Sequence, residues 1–224
     1  MALNHPHREK LKAIFIDFDG TLVNSLEDLY GIYCDFLKYY ELKGNQEEFA
    51  ELNGPTINEI LTILIEKYHL PEPSEKLLAV YWSMLEQYYA EVALPFPGAE
   101  KFLKKTKRLG VVLGIVTSAG HSLVDPFLKR HGLESYFNTI ITAEGILQSK
   151  PHPEIYQKAL KSLGLEGSQA LAIEDSMKGV LSATEAGIYT WRINTKLKSI
   201  RHHPGWLEIS GWPAIEELFI ELYE

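Results

Sequence analysis

The 224-residue chain contains a single cysteine, Cys34. A disulfide within the chain and a zinc site built on several cysteines are therefore excluded, and the composition suits a reducing compartment. Long apolar runs are also missing, since no stretch approaches the ~20 apolar residues of a membrane span. The segment from Met1 to Lys10 is polar and lacks the apolar centre of a signal peptide. We therefore expect a cytoplasmic protein that is neither exported nor embedded in a membrane.

Positive charge is scarce as well. The 22 lysines and arginines are outnumbered by 30 aspartates and glutamates, which gives a net charge of -8. An acidic surface repels nucleic acid and anionic lipid, so neither is an expected partner. Apolar residues, at 46%, suffice for the core of one large α/β domain or of a core with a smaller inserted domain. The predicted assembly is a monomer or a dimer.

The order of elements predicts the architecture. Ala13-Ile14-Phe15-Ile16 is a short apolar run that stops at a polar residue, which is typical of a buried parallel strand ending at a site. Helical spacing follows, and the Pro95-Phe96-Pro97-Gly98 segment then breaks it. Beyond this break, strands predicted at residues 111–116, 139–142, 170–173 and 189–193 alternate with helices, which indicates a parallel α/β sheet. We expect residues 189–193 to be the last strand.

The helical stretch is predicted to be an insert. It separates the first strand from the rest of the sheet, so we expect an all-helical domain over residues 24–94. The core domain would then consist of residues 1–23 and 95–224. An insert of this kind can act as a lid that closes over a site on the core.

Polar residues follow each predicted strand. In open α/β sheets, ligands bind beyond the carboxyl ends of the strands, so these side chains are expected to converge. Four carboxylates crowded together raise each other's pKa or require a cation, and all-oxygen ligands favour Mg²⁺. The residues concerned are Asp17, Asp19 and Gly20 after the first strand, Thr117 and Ser118 after the second, Lys150 after the third, and Glu174 and Asp175 after the fourth.

The spacing of Asp17 and Asp19 predicts different catalytic roles for the two carboxylates. On an extended segment, residues i and i+2 project to the same side. Asp17 is then placed to attack phosphorus, while Asp19 reaches the leaving oxygen as a general acid and later serves as a base for water. Gly20 permits a sharp turn or a close approach of the backbone.

Each feature taken alone has a simpler explanation. Asp19-Gly20 is a common turn pair, and Lys150 would ordinarily be a solvated surface lysine. Thr117 could cap the helix that follows it, and Glu174-Asp175 could be an acidic helix amino terminus. A common site is favoured because every feature follows a predicted strand and the features occur in a fixed order.

That ordered set resembles the four motifs of the haloacid dehalogenase superfamily. Asp17-Phe18-Asp19-Gly20-Thr21-Leu22-Val23 resembles motif one, and Val116-Thr117-Ser118 resembles motif two. Lys150-Pro151 resembles motif three, and Ile173-Glu174-Asp175-Ser176 resembles motif four. The resemblance implies a Rossmann-like parallel sheet core with an inserted helical cap, similar to the subgroup that contains phosphoglycolate phosphatases and β-phosphoglucomutases.

The resemblance also implies roles for these residues. Asp17 is the expected nucleophile, forming an aspartyl-phosphate, and Asp19 is the expected acid and base. Mg²⁺ is expected to be held by Asp17, the backbone carbonyl of Asp19 and Asp175, with Glu174 nearby. The residues expected to bind the phosphoryl group are Thr117, Ser118, Lys150 and Gly20.

Two positions in the insert bear on the type of reaction. Leu29 stands where the β-phosphoglucomutases carry a cap histidine, and Ile57 aligns with their phosphate-binding arginine. Neither side chain can relay a proton or bind phosphate, so hydrolysis is favoured. The predicted function is an Mg²⁺-dependent phosphatase for a small phosphorylated metabolite that resembles phosphoglycolate or a sugar phosphate. The alternatives are a phosphomutase and a non-catalytic binding protein that retains the fold.

Substrate choice is expected to depend on the insert and on the loop after the second strand. The polar residues proposed for this role are Asn53, Thr56, Asn58 and His121. Tyrosines at near-helical spacing in the insert are interpreted as its core rather than as a binding surface. This group includes Tyr81, Tyr88 and Tyr89.

Overall fold

A computed structural model describes residues 11–70 and 74–223 of the chain. The prediction made from the polar segment Met1 to Lys10 lies outside these residues. Within the described residues, no helix combines the length and the apolar character needed to cross a membrane.

Seven strands form a single sheet in the described part of the chain, in the order β3-β2-β1-β4-β5-β7-β6. The central strand β1 pairs in parallel with β2 on one side and β4 on the other, and only the edge strand β6 runs antiparallel to its neighbour. This arrangement confirms the predicted parallel α/β fold. The strands are β1 (Ala13–Ile16), β2 (Val112–Val116), β3 (Thr139–Ile141), β4 (Ala170–Glu174), β5 (Tyr189–Ile193), β6 (Arg201–His203) and β7 (Trp206–Ile209).

The expectation that residues 189–193 form the last strand was wrong. The hairpin of β6 and β7 follows β5, and β7 extends the sheet in parallel next to β5. This hairpin was missed because β6 is a short, largely exposed edge strand without an apolar pattern. Pro204-Gly205 also resembles an ordinary loop in the sequence, although here it joins two paired strands.

Helices cover the sheet and fill the segment between β1 and β2. Local signals explain several of their ends: Thr56 forms a capping box at the start of α3, and left-handed Gly132 and Gly164 terminate α6 and α7. The helices are α1 (Leu26–Tyr39), α2 (Gln46–Glu51), α3 (Ile57–Tyr68), α4 (Ser74–Gln87), α5 (Ala99–Arg108), α6 (His121–His131), α7 (Glu154–Leu163), α8 (Met177–Glu185) and α9 (Trp212–Tyr223).

Helices α1 to α4 follow one another without an intervening strand, as the sequence predicts. A π-helical turn, Tyr88–Val92, continues α4 towards the break at Pro95. The apolar interior is continuous, because one hydrophobic cluster contains Leu64 and Leu77 from the insert together with Ile14 and Leu113 from the sheet. The division of the chain into a cap over residues 24–94 and a core over the rest stays a prediction.

Candidate active site

The register of the sheet places the predicted residues side by side. Ile16 pairs with Ile173, and the backbone N–H of Asp17 donates to the carbonyl oxygen of Ile173 at 3.0 Å. Asp17 therefore leaves β1 next to Glu174 at the end of β4. On the other side, the N–H of Thr117 donates to the carbonyl of Ile141 at 3.0 Å, which fixes the end of β2. The carboxyl ends of these strands thus meet at one edge of the sheet.

Lys150 is buried at the centre of this edge and is only 4% exposed. Its Nζ lies 2.7 Å from Oδ1 of Asp17, 2.6 Å from Oε1 of Glu174 and 3.2 Å from the carbonyl oxygen of Val116. The explanation of Lys150 as a solvated surface lysine is therefore excluded. Burial lowers the pKa of its ammonium, but the negative charges of the two carboxylates outweigh this effect, so the pKa of Lys150 is raised and the group stays protonated.

Three carboxylates surround a common point. One oxygen from each of Asp17, Glu174 and Asp175 lies within 4.8 Å of the other two. Burial raises the pKa of all three groups, and their mutual repulsion adds to this effect for Glu174 and Asp175. When all three are ionised, one lysine cannot neutralise them, so the cluster then has an excess of negative charge.

The donor set fits a hard divalent cation. All the side-chain ligands offered are carboxylate oxygens, which Mg²⁺ prefers. The Oε2 atom of Glu174 is buried and has no hydrogen-bond partner among the described residues. An unsatisfied buried carboxylate oxygen is costly, and a bound cation would offset that cost.

Two glycines make room for these carboxylates. Gly20 has a φ of +72°, and a Cβ placed on it would lie 2.5 Å from Oδ2 of Asp175. A Cβ on Gly179, in the first turn of α8, would lie 2.1 Å from the carboxyl carbon of Glu174. Any larger residue at either position would displace a carboxylate from the cluster.

Asp19 occupies a different environment from Asp17. Its Oδ1 accepts hydrogen bonds from the hydroxyl of Ser25 at 2.7 Å and from the hydroxyl of Tyr89. Burial raises the pKa of Asp19 to about 6, although the hydrogen bond from Tyr89 opposes this shift. A carboxyl group with a pKa near neutrality can both give and take a proton, which suits an acid and base.

Three supporting residues were missed by sequence reasoning. Tyr156, on α7, donates its hydroxyl proton to Oε1 of Glu174 at 2.7 Å. Arg192, on β5, donates from Nε to the carbonyl oxygen of Asp175 at 2.8 Å and pairs with Glu208 at 3.1 Å. Tyr89 and its bond to Asp19 were also missed. Of these three residues, only Arg192 is conspicuous in the sequence, because it is a charged residue inside an otherwise largely apolar strand.

The predicted phosphate-binding residues lie at the same edge of the sheet. Thr117 is buried, and its Oγ1 accepts from the N–H of Ala119 at 3.0 Å. It does not cap the following helix, because the N-cap of α6 is Gly120. The N–H of Gly20 donates to the carbonyl of Val23 at 3.0 Å, so this group is already engaged.

The proposed specificity residues differ in position. Asn53 borders the pocket and donates from Nδ2 to Oδ2 of Asp175 at 3.3 Å. The other three are absent from the described lining of the pocket. Thr56 caps α3, Asn58 is exposed on that helix, and His121 is exposed on α6, 3.2 Å from Asp125.

A pocket of about 100 Å³ opens between the strand ends and helices α1 to α4. We call its polar side the floor, which comprises the lining residues Asp17, Asp19, Thr117 and Lys150 and the carboxylates Glu174 and Asp175 clustered with Asp17. We call its apolar side the roof, formed by Leu26, Leu29, Phe49, Ile57, Ile60 and Leu85. Tyr81 and Tyr89 also line the pocket although both are buried, so the interpretation of these tyrosines as core alone was incomplete.

The comparisons with known proteins agree with this geometry. The family profile of the haloacid dehalogenase-like hydrolases matches residues 14–193, which covers the sheet from β1 to β5 and the intervening helices. The chain belongs to this family. The predicted superfamily and the prediction of a hydrolase of this type are thereby confirmed.

Relatives and solved structures extend the comparison. The pyrophosphatase PpaX of Bacillus cereus strain AH820 is 26% identical over 190 residues, which span 84% of this chain and 86% of the relative. A family IA hydrolase from Entamoeba histolytica has a TM-score of 0.78 at 24% identity, with 96% of this chain and 100% of that chain covered. CbbY from Rhodobacter sphaeroides, solved with phosphate, has a TM-score of 0.76 at 22% identity, with 90% of this chain and 95% of that chain covered.

Proposed function

We propose that this protein is an Mg²⁺-dependent phosphatase that hydrolyses a small phosphorylated metabolite through a phosphoryl group carried on Asp17. The observation that carries the proposal is the position of Asp17. Its carboxylate lies at the bottom of a small pocket, in contact with the buried ammonium of Lys150. It also belongs to a three-carboxylate cluster that suits a divalent cation.

The reaction would proceed in two displacements. A carboxylate oxygen of Asp17 forms a bond to phosphorus as the ester P–O bond breaks, and Asp19 gives a proton to the departing alcohol oxygen. In the second step Asp19 takes a proton from a water molecule, whose oxygen attacks phosphorus as the bond to Asp17 breaks. Water is consumed, and the products are the free alcohol and inorganic phosphate.

The charges of the floor support these roles. Lys150, with Thr117 and the backbone of Ser118, would bind phosphoryl oxygens and stabilise their charge during transfer. Asp17, Asp175 and the carbonyl of Asp19 would hold the cation, with Glu174 nearby. When bound, Mg²⁺ would neutralise phosphate and carboxylate charge that a single lysine cannot balance.

We also propose that residues 24–94 form a cap that closes over the site. Contacts between this segment and the core surround the pocket, which supports the assignment. Ser118 donates to the carbonyl of Gly54 at 2.7 Å, and Ser149 donates to Oε1 of Glu59 at 2.8 Å. Lys178 donates to the carbonyl of Glu51 at 2.7 Å. Opening would break these bonds, whereas closure excludes water from the phosphoryl transfer.

Phosphate release from an aryl phosphate tests the proposal. The purified protein should release phosphate when Mg²⁺ is present and not in excess chelator, and Asp17→Asn should abolish the release because an amide is not a nucleophile here. Mass spectrometry of the acid-quenched wild type should detect a phosphorylated peptide that contains Asp17. A phosphomutase would instead convert a sugar phosphate to its isomer without net release.

Asp35→Asn provides the matched control, because it makes the same chemical change at an exposed site on α1. This variant should retain wild-type turnover. Normal turnover by the Asp17→Asn protein would contradict the assignment of the nucleophile, and release at full rate in chelator would contradict the role of the metal.

A further inference from the structure

The roof of the pocket is apolar although it covers a strongly charged floor. Its six side chains come from four helices: Leu26 and Leu29 from α1, Phe49 from α2, Ile57 and Ile60 from α3, and Leu85 from α4. Five of the six are only partly buried, so they present apolar surface to the pocket. A substrate whose phosphate is bound on the floor must direct the rest of the molecule towards this surface.

The described lining of the pocket contains no second cation. Among its described lining residues, Lys150 alone carries a positive charge, and that ammonium is already shared between Asp17 and Glu174. Lys178 lies near the rim, but its Nζ donates to the carbonyl of Glu51 at 2.7 Å. A second phosphate or a carboxylate on the substrate would therefore lose its hydration without gaining an ionic partner.

Several polar groups that line the pocket already have a protein partner. The amide of Asn53 is bound to Asp175, and the hydroxyl of Tyr89 is bound to Asp19. The hydroxyl of Ser118 is bound to the carbonyl of Gly54, and that of Ser176 accepts from the N–H of Gly179. A substrate hydroxyl directed at the roof would exchange its bonds to water for contacts with leucine and isoleucine, which is unfavourable.

We propose that the substrate is a phosphate monoester of a small apolar alcohol, alkyl or aryl, with no second charged group. This inference rests on the proposed phosphatase function and narrows it. It departs from the phosphoglycolate-like or sugar-phosphate-like substrate expected from the sequence. It also separates this chain from relatives named for pyrophosphate, a substrate without any apolar part. A pocket of about 100 Å³ favours a small alcohol.

A series of phosphate esters tests the proposal. Methyl, propyl, 2-methylbutyl and phenyl phosphate are compared with glycerol 3-phosphate, phosphoglycolate, pyrophosphate and a sugar bisphosphate. Glycerol 3-phosphate is the matched control for 2-methylbutyl phosphate. The two esters have nearly the same shape, and glycerol 3-phosphate carries a hydroxyl group at each of the two positions where the other ester carries a methyl group. The expected result is that kcat/KM rises about fourfold for each buried methylene until the pocket is full. It should be at least about tenfold higher for 2-methylbutyl phosphate than for glycerol 3-phosphate.

Equal or faster turnover of glycerol 3-phosphate, phosphoglycolate, pyrophosphate or the bisphosphate would overturn the proposal. If no compound in the series is hydrolysed, the phosphatase function itself fails. In that case, calorimetric titration of the Mg²⁺-treated protein with the matched pair still decides the inference. Tighter binding of the 2-methylbutyl ester supports an apolar ligand, and equal or weaker binding contradicts it.

A pair of variants on one helix tests the roof directly. Ile57→Arg places a cation in the roof, whereas Ile63→Arg places the same residue on an exposed position of α3. Ile57→Arg should lower kcat/KM for phenyl phosphate and raise it at least about tenfold for phosphoglycolate or the bisphosphate, while Ile63→Arg should change neither. If Ile57→Arg does not fold, judged by circular dichroism, Leu29→Gln takes its place and should selectively weaken the apolar esters. An unchanged ester profile in a folded roof variant would overturn the proposal.

Discussion

The floor and the roof of the pocket are built on opposite principles. The floor draws ionisable side chains from the ends of separate strands, and the contact of Lys150 with Asp17 joins residues 133 positions apart. The roof comes from four consecutive helices and contributes leucine, isoleucine and phenylalanine side chains. The floor therefore depends on the topology of the sheet, whereas the roof depends on local helix packing. We infer that the floor fixes the chemistry and that the roof can vary without disturbing it.

The floor and the roof also differ in how much a substitution is expected to destabilise the fold. Buried charges in the floor destabilise the fold unless each finds a partner, so its geometry tolerates little change. Apolar side chains in the roof gain stability from burial in any well-packed arrangement, and volume-conserving exchanges among them cost little. The two regions should therefore respond differently to substitution, to pH and to metal.

Gly179→Ala should damage the floor severely. The new Cβ would lie 2.1 to 2.3 Å from the carboxyl atoms of Glu174, so this carboxylate must move away from Lys150. Overpacking of this kind costs about 1–3 kcal/mol, which corresponds to a fall in melting temperature of about 3–10 °C for a chain of this size. Phosphatase activity should fall by at least about tenfold. Thermal unfolding and an aryl phosphate assay measure the two effects.

Gly31→Ala is the control, because it introduces the same methyl group into α1, where the missing Cβ has open space around it. This change should stabilise the helix by about 0.5–1 kcal/mol and leave activity intact. If Gly179→Ala behaved like Gly31→Ala, neither stability nor activity would depend on the close packing of Glu174 in the floor.

The floor should also make stability depend on pH and on metal. Burial raises the pKa of Asp19 from 3.8 to about 6. Burial and the charge of Asp17 raise the pKa of Glu174 from 4.5 to about 7. A carboxyl whose folded pKa lies above its unfolded value contributes stability at low pH, and this contribution is lost as the pH rises through the folded value. The metal-free protein should therefore melt several degrees lower at pH 8 than at pH 5.

Mg²⁺ should reverse this loss at pH 8, because the cation compensates the ionised carboxylates. Differential scanning calorimetry at both pH values, with and without the metal, measures the effect. Asp175→Asn removes one carboxylate of the cluster and should weaken the response to Mg²⁺, whereas Asp35→Asn on the surface should preserve it. A response to Mg²⁺ that is identical in Asp175→Asn would remove Asp175 from the proposed ligand set.

The floor could be predicted from the sequence and the roof could not, for a physical reason. A strand that ends at a polar residue marks the edge of a parallel sheet, so Asp17, Thr117, Lys150 and Asp175 could be placed together without coordinates. The helical period of the insert distinguishes an apolar face from a polar one. It does not show whether an apolar face packs on another helix or borders a pocket, so Tyr89 could not be distinguished from its buried neighbour Tyr88.

The hydroxyl of Tyr89 links the two regions, and its loss should have a moderate effect. Its hydrogen bond stabilises the ionised form of Asp19, so Tyr89→Phe should raise the pKa of Asp19 further above its ordinary value. The limb of the pH–rate profile that reports Asp19 should move to higher pH. Tyr81→Phe removes a hydroxyl from the same pocket and serves as the control. An unshifted profile for Tyr89→Phe would show that this bond does not govern the acid and base.

The contacts at the rim of the pocket should have the smallest effect. Ser118→Ala removes the hydrogen bond to the carbonyl of Gly54, which is worth about 1 kcal/mol and connects the strand end to the helices above it. If the helices close over the site as we propose, this bond favours the closed arrangement, and its loss should raise KM by about fivefold and change kcat little. Ser122→Ala on the exposed start of α6 should change neither. An equal fall in kcat would mean that the hydroxyl of Ser118, and not only its backbone, acts on the phosphoryl group during transfer.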